Sequence, residues 1–383
     1  TNENIAENYI SSRVDYLKKI ADDVRATDED SYIIFEHFQG FEEKLFSEYG
    51  ILTWGEENHN YNEATMGYSS DFSGISYKKR GFKNPTLVGF MESHDKERLM
   101  YKNLEYGNSR GSYDIKHFDN AINRMKAAGA LFFGIPGPKM IWQFGELGYD
   151  ESINTCVDGT ISNDCRLSNK ESAFSLGMRE NIRRVQLYNT WSRIMSLRKT
   201  EKIFHTTNFI TNLSSELKYI QLFSEDNNVI ISEVLIVGNF GLESIKIPSE
   251  LFPDGELFDI FSNNMPVEKS TLSENPLQPG QFLIIADGKT QIEDDIVLTL
   301  SVENRMHKNY KIYPNPFKEK LNLLLPEWGS YEIIFTNSDG KKINNDEFKG
   351  NLYTYDGSEL SDGIYFIKVK SATDSFAFRV VKD

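Results

Sequence analysis

Four apolar runs in the first 150 residues each end in groups that can hold charge or move a proton. Glu36 and His37 follow Tyr32–Phe35, and Trp54, Glu56 and Glu57 follow Gly50–Leu52. Glu92, Ser93, His94 and Asp95 follow Leu87–Met91, and Glu146 follows Met140–Phe144. The runs themselves carry almost no charge. Reactive groups of parallel sheets gather at the C-terminal ends of strands, so this polarity suits a site at one rim. Cleaving a glycosidic bond needs a carboxylic acid to protonate the leaving oxygen and carboxylates to offset positive charge at the sugar carbon. A glutamate at a strand mouth beside aromatics could keep its proton near neutrality. A His-Asp pair could bond sugar hydroxyls, and Trp54 could stack on a ring or belong to the core. Trp142, among apolar neighbours, reads as core. No His, Cys, Asp or Glu set has metal-ligand spacing.

The elements that must position these groups are legible as alternating helices and strands. Helical spacing over Ile10–Val24 ends at the acidic turn Thr27–Asp30, and Tyr32–Phe35 reads as a buried parallel strand. A helix over Phe41–Tyr49, a strand at Gly50–Trp54 and a long polar loop lead to a third strand, Thr86–Met91. A helix over Phe118–Phe133 precedes a fourth strand, Lys139–Phe144, and Glu180–Leu197 is a further helix. Repeated β–α units indicate a parallel sheet. Four strands do not close a (β/α)8 barrel, so composition leaves a small open sheet and part of a barrel both standing. Past residue 203 short strands broken by Gly, Asn and Pro read as a β-sandwich. A polar stretch near Gly288–Asp295 then leads to a second all-β unit.

Bulk properties narrow the class. The 383 residues exceed one ordinary core. The net charge of −15 argues against nucleic acid or anionic membrane as the main partner, and 13% aromatic residues exclude a disordered chain. A neutral ligand such as carbohydrate fits this balance. No apolar run is long enough for a transmembrane segment. The start lacks a signal-peptide pattern and reads as a break inside a larger protein. Cys156 and Cys165 read as a local disulfide clamping a loop in an oxidising compartment, worth roughly 2–3 kcal/mol. The alternative is two free thiols.

Three segments sharpen the reading. Phe90-Met91-Glu92-Ser93-His94-Asp95-Lys96-Glu97-Arg98-Leu99 resembles the seventh-strand motif of the α-amylase family, glycoside hydrolase family 13. Ser93 stands where that motif commonly has Asn. Ile33–Phe38 resembles the fifth-strand motif and Gly134–Gly148 the eighth, while Trp54-Gly55 and Tyr61–Tyr68 match the sixth less distinctively. The resemblance implies an α/β plus all-β chain: the second half of a (β/α)8 barrel over residues 1–203, then a β-sandwich over 204–287. It implies Glu36 as general acid/base, Asp95 as the carboxylate stabilising the transition state, and His94 as a sugar contact; His37 is a sugar contact or equally a packing residue, and Trp54 a ring for stacking or a core residue. Glu146 would support the rim structurally. The family's nucleophile and companion arginine lie on a fourth strand, which this chain does not contain. The complete protein would then be a retaining α-1,4-glucan hydrolase acting on starch or glycogen, and this piece alone inert. Branching, transglycosylating or pullulan-cleaving relatives and a non-catalytic surface glycan-binding protein are the alternatives. No cofactor is implied for this chain, and the family leaves room for calcium in the full-length protein.

A linker over 288–308 leads to residues 309–383. There Tyr313-Pro314-Asn315-Pro316-Phe317, Gly363–Val369 and Phe378–Lys382 resemble the type IX secretion sorting domain, expected as a small immunoglobulin-like β-sandwich. That resemblance implies type IX machinery as partner. The protein would be secreted or cell-surface, exported across the outer membrane of a Gram-negative bacterium.

Overall fold

The apolar runs and helical periods above become real elements in the computed structural model, which describes residues 9–226, 229–290, 311–337, 341–371 and 375–383. The chain divides into two compact units, Thr1–Ile296 and Val297–Asp383. Residues 291–308 of the expected linker lie outside the described residues.

In the first unit, α1 (Ser11–Thr27) leads to β1 (Ile34–Phe35), α2 (Gly40–Glu48), β2 (Leu52–Glu56), α3 (Asn58–Thr65) and β3 (Leu87–Phe90). Helix α4 (Leu99–Tyr106), a short hairpin and α5 (Phe118–Gly134) precede β6 (Lys139–Met140), the hairpin strands being β4 (Ser109–Arg110) and β5 (Tyr113–Asp114). Strands β1, β2, β3 and β6 form a parallel sheet in chain order. Sequential order with right-handed crossovers puts every connecting helix on one face, which is the winding of a barrel wall. Burial along β2 agrees: Thr53 and Gly55 are buried, while Leu52, Trp54 and Glu56 are half-buried.

Two expectations change here. Strand β1 is not buried: Ile34 is 38% and Tyr32 88% exposed, because β1 is an edge whose one strand partner among the described residues is β2. The long polar loop contains α3, which forms despite a polar sequence. Its Tyr61 and Ala64 are buried, and the Asn58 amide donates to the carbonyls of Met91 (2.7 Å) and Glu97 (2.9 Å).

Helix α5 is buried almost all round from Ala121 to Gly134, as expected of a helix apolar on every face. It packs on α6 (Ile182–Thr200) through a close contact at Gly129. A Cβ there would lie 2.1 Å from Trp191 Nε1, which donates to the Met125 carbonyl at 3.1 Å. Trp191 is 2% exposed and cannot retreat. Gly129→Ala should therefore cost about 1–3 kcal/mol in urea unfolding despite the better helix propensity of Ala. An unchanged or raised midpoint would contradict this packing.

The unit continues as β7 (Phe209–Asn212), β8 (Leu217–Phe223), β9 (Glu233–Asn239), β10 (Leu257–Asp259), β11 (Met265–Val267), α7 (Lys269–Glu274) and β12 (Phe282–Ala286). These strands make one six-stranded antiparallel sheet, in the order β11-β10-β12-β9-β8-β7, rather than two stacked sheets. One face, with Ile220, Leu222, Val234, Ile236 and Ile284, joins the same hydrophobic cluster as α5 and α6. The other, with Leu235, Val237, Leu257 and Ile285, lies under Ile247, Phe252 and Leu277. The covering segment contributes one isolated bridge, Ile245 to Leu277, so it makes a layer without a second sheet.

The second unit is a five-stranded antiparallel sheet of β13 (Lys311–Tyr313), β14 (Lys320–Asn337), β15 (Lys342–Asp356), β16 (Gly363–Lys370) and β17 (Ser375–Lys382). An irregularity between Leu324 and Gly329 divides β14; its first part pairs with β13 and its second with β16, while β15 follows both. Leu321, Leu323, Tyr331, Ile333 and Phe335 alternate inward and share one core with Tyr353, Ile367 and Val380. The Pro-Asn-Pro-Phe segment holds the last strand. Phe317 N–H donates to Val381 O (2.9 Å), Asp383 N–H to Phe317 O (3.0 Å), and Val381 N–H to Asn315 Oδ1 (2.8 Å).

Candidate active site

The parallel register sets Ile34 level with Leu52, Trp54 with Val88, and Phe90 with Met140. Glu36, Glu56, the segment 92–98 and the segment 142–146 thus all leave the sheet at its C-terminal edge. Within that rim, contacts decide which side chains remain free for a ligand.

Asp95 is half-buried and accepts a bond from Ser93 Oγ at 2.7 Å. That hydroxyl, helped by the charges of Lys96, His94 and Arg166 against some burial, holds its carboxyl below the usual range. His94 is exposed, and its ring lies 6.0 Å from that of Trp142, tilted by 58°. Trp142 is half-buried, so it is a rim residue rather than the core residue its neighbours suggest. Lys96 pairs with Glu56 at 2.9 Å, joining the ends of β2 and β3. Trp54 is half-buried on β2, edge-on to Phe90 at 6.0 Å.

Beneath these, Glu92 is 4% exposed and works as a support. Its Oε1 accepts the N–H of Leu99 at 2.7 Å, which starts α4, and its Oε2 accepts from Arg98 at 3.3 Å. Burial pushes the Glu92 carboxyl up, with Arg98 opposing. Arg98 also donates to the Gln143 carbonyl at 3.1 Å and lies over Tyr149, joining the third and fourth strand mouths. Glu146 sits beside this set, half-buried, its carboxyl likewise raised by burial.

Two sequence-named residues behave differently. Glu36 is exposed and its carboxylate meets no hydrogen-bonding partner among the described residues, so the enclosure by aromatics expected of it is absent here. His37 turns away from a ligand: Nε2 lies 2.5 Å from Glu42 Oε2, and its ring stands edge-on to Phe46. Glu42, 1% exposed, also takes bonds from Arg13 at 2.6 and 3.0 Å and from the Ile10 N–H at 3.1 Å. A buried carboxylate so placed captures the nearest imidazole, and nothing in the motif around Glu36 signals it.

Cys156 and Cys165 are bonded, closing a loop against the 93–98 segment. Ser152 Oγ and Ile153 N–H donate to Glu97 at 2.7 and 3.0 Å, and Arg166 donates to the Asp95 carbonyl. In the sequence the one signal of Arg166 is its adjacency to Cys165. Among the described residues no group of three or more His, Cys, Asp or Glu could hold a metal ion. No helix among them is long and apolar enough to cross a membrane.

Residues 311–383 match the family model for the secretion system C-terminal sorting domain, so the chain carries a type IX export signal, as Tyr313–Phe317 and the final strands suggested. No curated protein matches the chain. Among solved structures it resembles a pullulanase complexed with maltotetraose from Anoxybacillus sp. LM18-11, with a TM-score of 0.50 and 12% identity over 71% of this chain and 42% of that one. It also resembles the product complex of SpuA, a multi-modular glycogen-degrading pneumococcal virulence factor, with a TM-score of 0.50 and 9% identity over 72% of this chain and 36% of that one. The likeness is one of fold. The chain spans less than half the length of either structure.

Proposed function

We propose that the parent protein is an exported glycoside hydrolase of the α-amylase family acting on α-1,4-linked glucan, and that this chain supplies one side of its active site. The observation carrying this reading is the rim itself, with His94 and Trp142 in contact next to Asp95, and with Glu36 leaving the same C-terminal edge of the parallel sheet two strands away. Asp95, kept ionised by Ser93, suits the carboxylate that faces an oxocarbenium-like centre. His94 suits a sugar hydroxyl, Trp142 offers a ring to the apolar face of a sugar, and Glu36 delivers the proton. In a retaining mechanism the nucleophile stands about 5–5.5 Å from the acid. In the family pattern it belongs to a strand outside these residues, so the 383-residue chain should release no reducing sugar from starch.

Binding tests the reading without catalysis. The chain should bind maltotetraose, the ligand of the pullulanase above, in isothermal titration, and Trp142→Ala should weaken binding about tenfold through lost ring contact. Absence of any maltooligosaccharide binding by the wild-type chain would count against the site. A second reading, a glycan-binding surface without chemistry, is favoured by the open setting of Glu36. Hydrolysis of starch by the complete protein, lost in Glu36→Gln, separates the two.

A further inference from the structure

The disulfide-closed loop grips the Asp95 segment from both of its feet. Before Cys156, Ser152 and Ile153 hold the Glu97 carboxylate. After Cys165, Arg166 reaches the Asp95 backbone carbonyl. Just beyond the loop, Lys170 Nζ donates to the carbonyls of Thr155 and Cys165, both at 2.7 Å, so one ammonium ties the two ends of the loop together beside the disulfide. The loop is also fixed at its base, where Tyr149 OH donates to the Glu171 carbonyl at 2.6 Å. A surface arginine ordinarily contributes little, because holding a long side chain costs entropy. Here the neighbouring covalent bond and the lysine restrict the backbone that carries it, so part of that cost is met before Arg166 binds.

We infer that Arg166 is a positioning residue for Asp95, and that the Cys156–Cys165 disulfide holds it there. Arg166 fixes the peptide that carries Asp95 while Ser93 fixes the carboxylate, so main chain and side chain are held by separate partners. The guanidinium also lies close enough to favour the ionised carboxylate, after Ser93, Lys96 and His94. The significance of this placement rests on the reading of Asp95 as the charge-stabilising carboxylate, but the clamp can be measured without it.

The test uses the full 383-residue chain as wild type, Arg166→Gln, Arg166→Lys and the double variant Cys156→Ser/Cys165→Ser. Two readouts are followed: hydrogen exchange of the amides in 93–98, and the titration of the Asp95 carboxyl by carbon NMR. Arg166→Gln and the double variant should exchange about tenfold faster across 93–98, the size expected for one lost charge-assisted hydrogen bond. In both, Asp95 should titrate at higher pH. Arg166→Lys should restore most of the titration, since it keeps the charge. A merely structural loop would speed exchange in every variant without moving Asp95 back in the lysine variant. Unchanged exchange and titration in Arg166→Gln would overturn the inference. Maltotetraose affinity, measured in parallel, reads on the proposed function: a clamp without sugar binding retains the first and removes the second.

Discussion

Replacing Arg124 by Met should cost about 3–5 kcal/mol, a larger loss of stability than Gly129→Ala or Glu42→Gln. Arg124 is 1% exposed on α5, and its guanidinium serves four backbone carbonyls. It donates to Thr65 (2.5 Å) and Ala64 (2.7 Å) at the end of α3, and to Phe240 (2.5 Å) and Gly241 (3.0 Å) after β9. Methionine fills the volume but takes the donor from the carbonyls of Thr65, Phe240 and Gly241, while Ala64 keeps only the Gly67 N–H at 3.1 Å. Lysine should also fail, because a single ammonium cannot reproduce the planar fork. Against a typical total of 5–15 kcal/mol, such a loss leaves much of the chain unfolded at 37 °C. The measurement is the urea midpoint. Arg110→Ala serves as a control, since its pair with Glu243 is 64% and 62% exposed and should shift stability by less than about 0.5 kcal/mol. A shift of Arg124→Met no larger than the control's would refute the stitching role.

Glu42→Gln should cost about 2 kcal/mol at pH 7, and the cost should vanish in acid. Burial pushes the Glu42 carboxyl up, but bonds from Arg13, Ile10 and His37 more than reverse this and hold it at about 2. The unfolded value is about 4.3, so the native carboxyl is the stronger acid. Its contribution is complete above that value and is lost as pH falls towards 2. The figure is kept modest because Arg13 is 36% exposed and solvent screens part of the attraction. Unfolding wild type and variant from pH 7 down to pH 2 checks it. A gap that does not narrow below pH 4.5 would show that Glu42 acts by packing instead.

Much of the architecture can be read from the sequence because the parallel strands are short apolar runs with polar ends. The long helix Phe118–Gly134 likewise is apolar nearly all round, whereas Ile182–Thr200 buries Arg184, Gln186, Thr190 and Arg193 beside Leu187, Trp191, Ile194 and Leu197. What escapes is whatever depends on a distant partner. Tyr32–Phe35 looks like an interior strand, since an apolar run does not say whether a neighbour lies on both sides. Helix α3 is hidden because its Asn and His residues favour loops, and its stability comes from Tyr61 and from Asn58 reaching the β3 mouth. The single antiparallel sheet reads as a sandwich because strand spacing does not reveal that the segments before β10 and after β11 cover one face with a lone bridge, Ile245 to Leu277, while β10 and β11 extend the sheet. At the site, Asp95 and His94 follow β3 at the rim. His37 is lost to Glu42, Trp142 is gained beside His94, and Arg166 is visible only once the disulfide loop has folded back.

The hydrophobic cluster that runs unbroken from Tyr61 through Trp191 to Ala286 makes the parallel wall and the antiparallel sheet inseparable in practice. A gene cut near residue 203 would strip the covering from α5 on one product and leave the other with a bare oily sheet. Chimeras that exchange parallel walls of this fold should therefore carry this sheet along with its own helices, and place their junctions elsewhere.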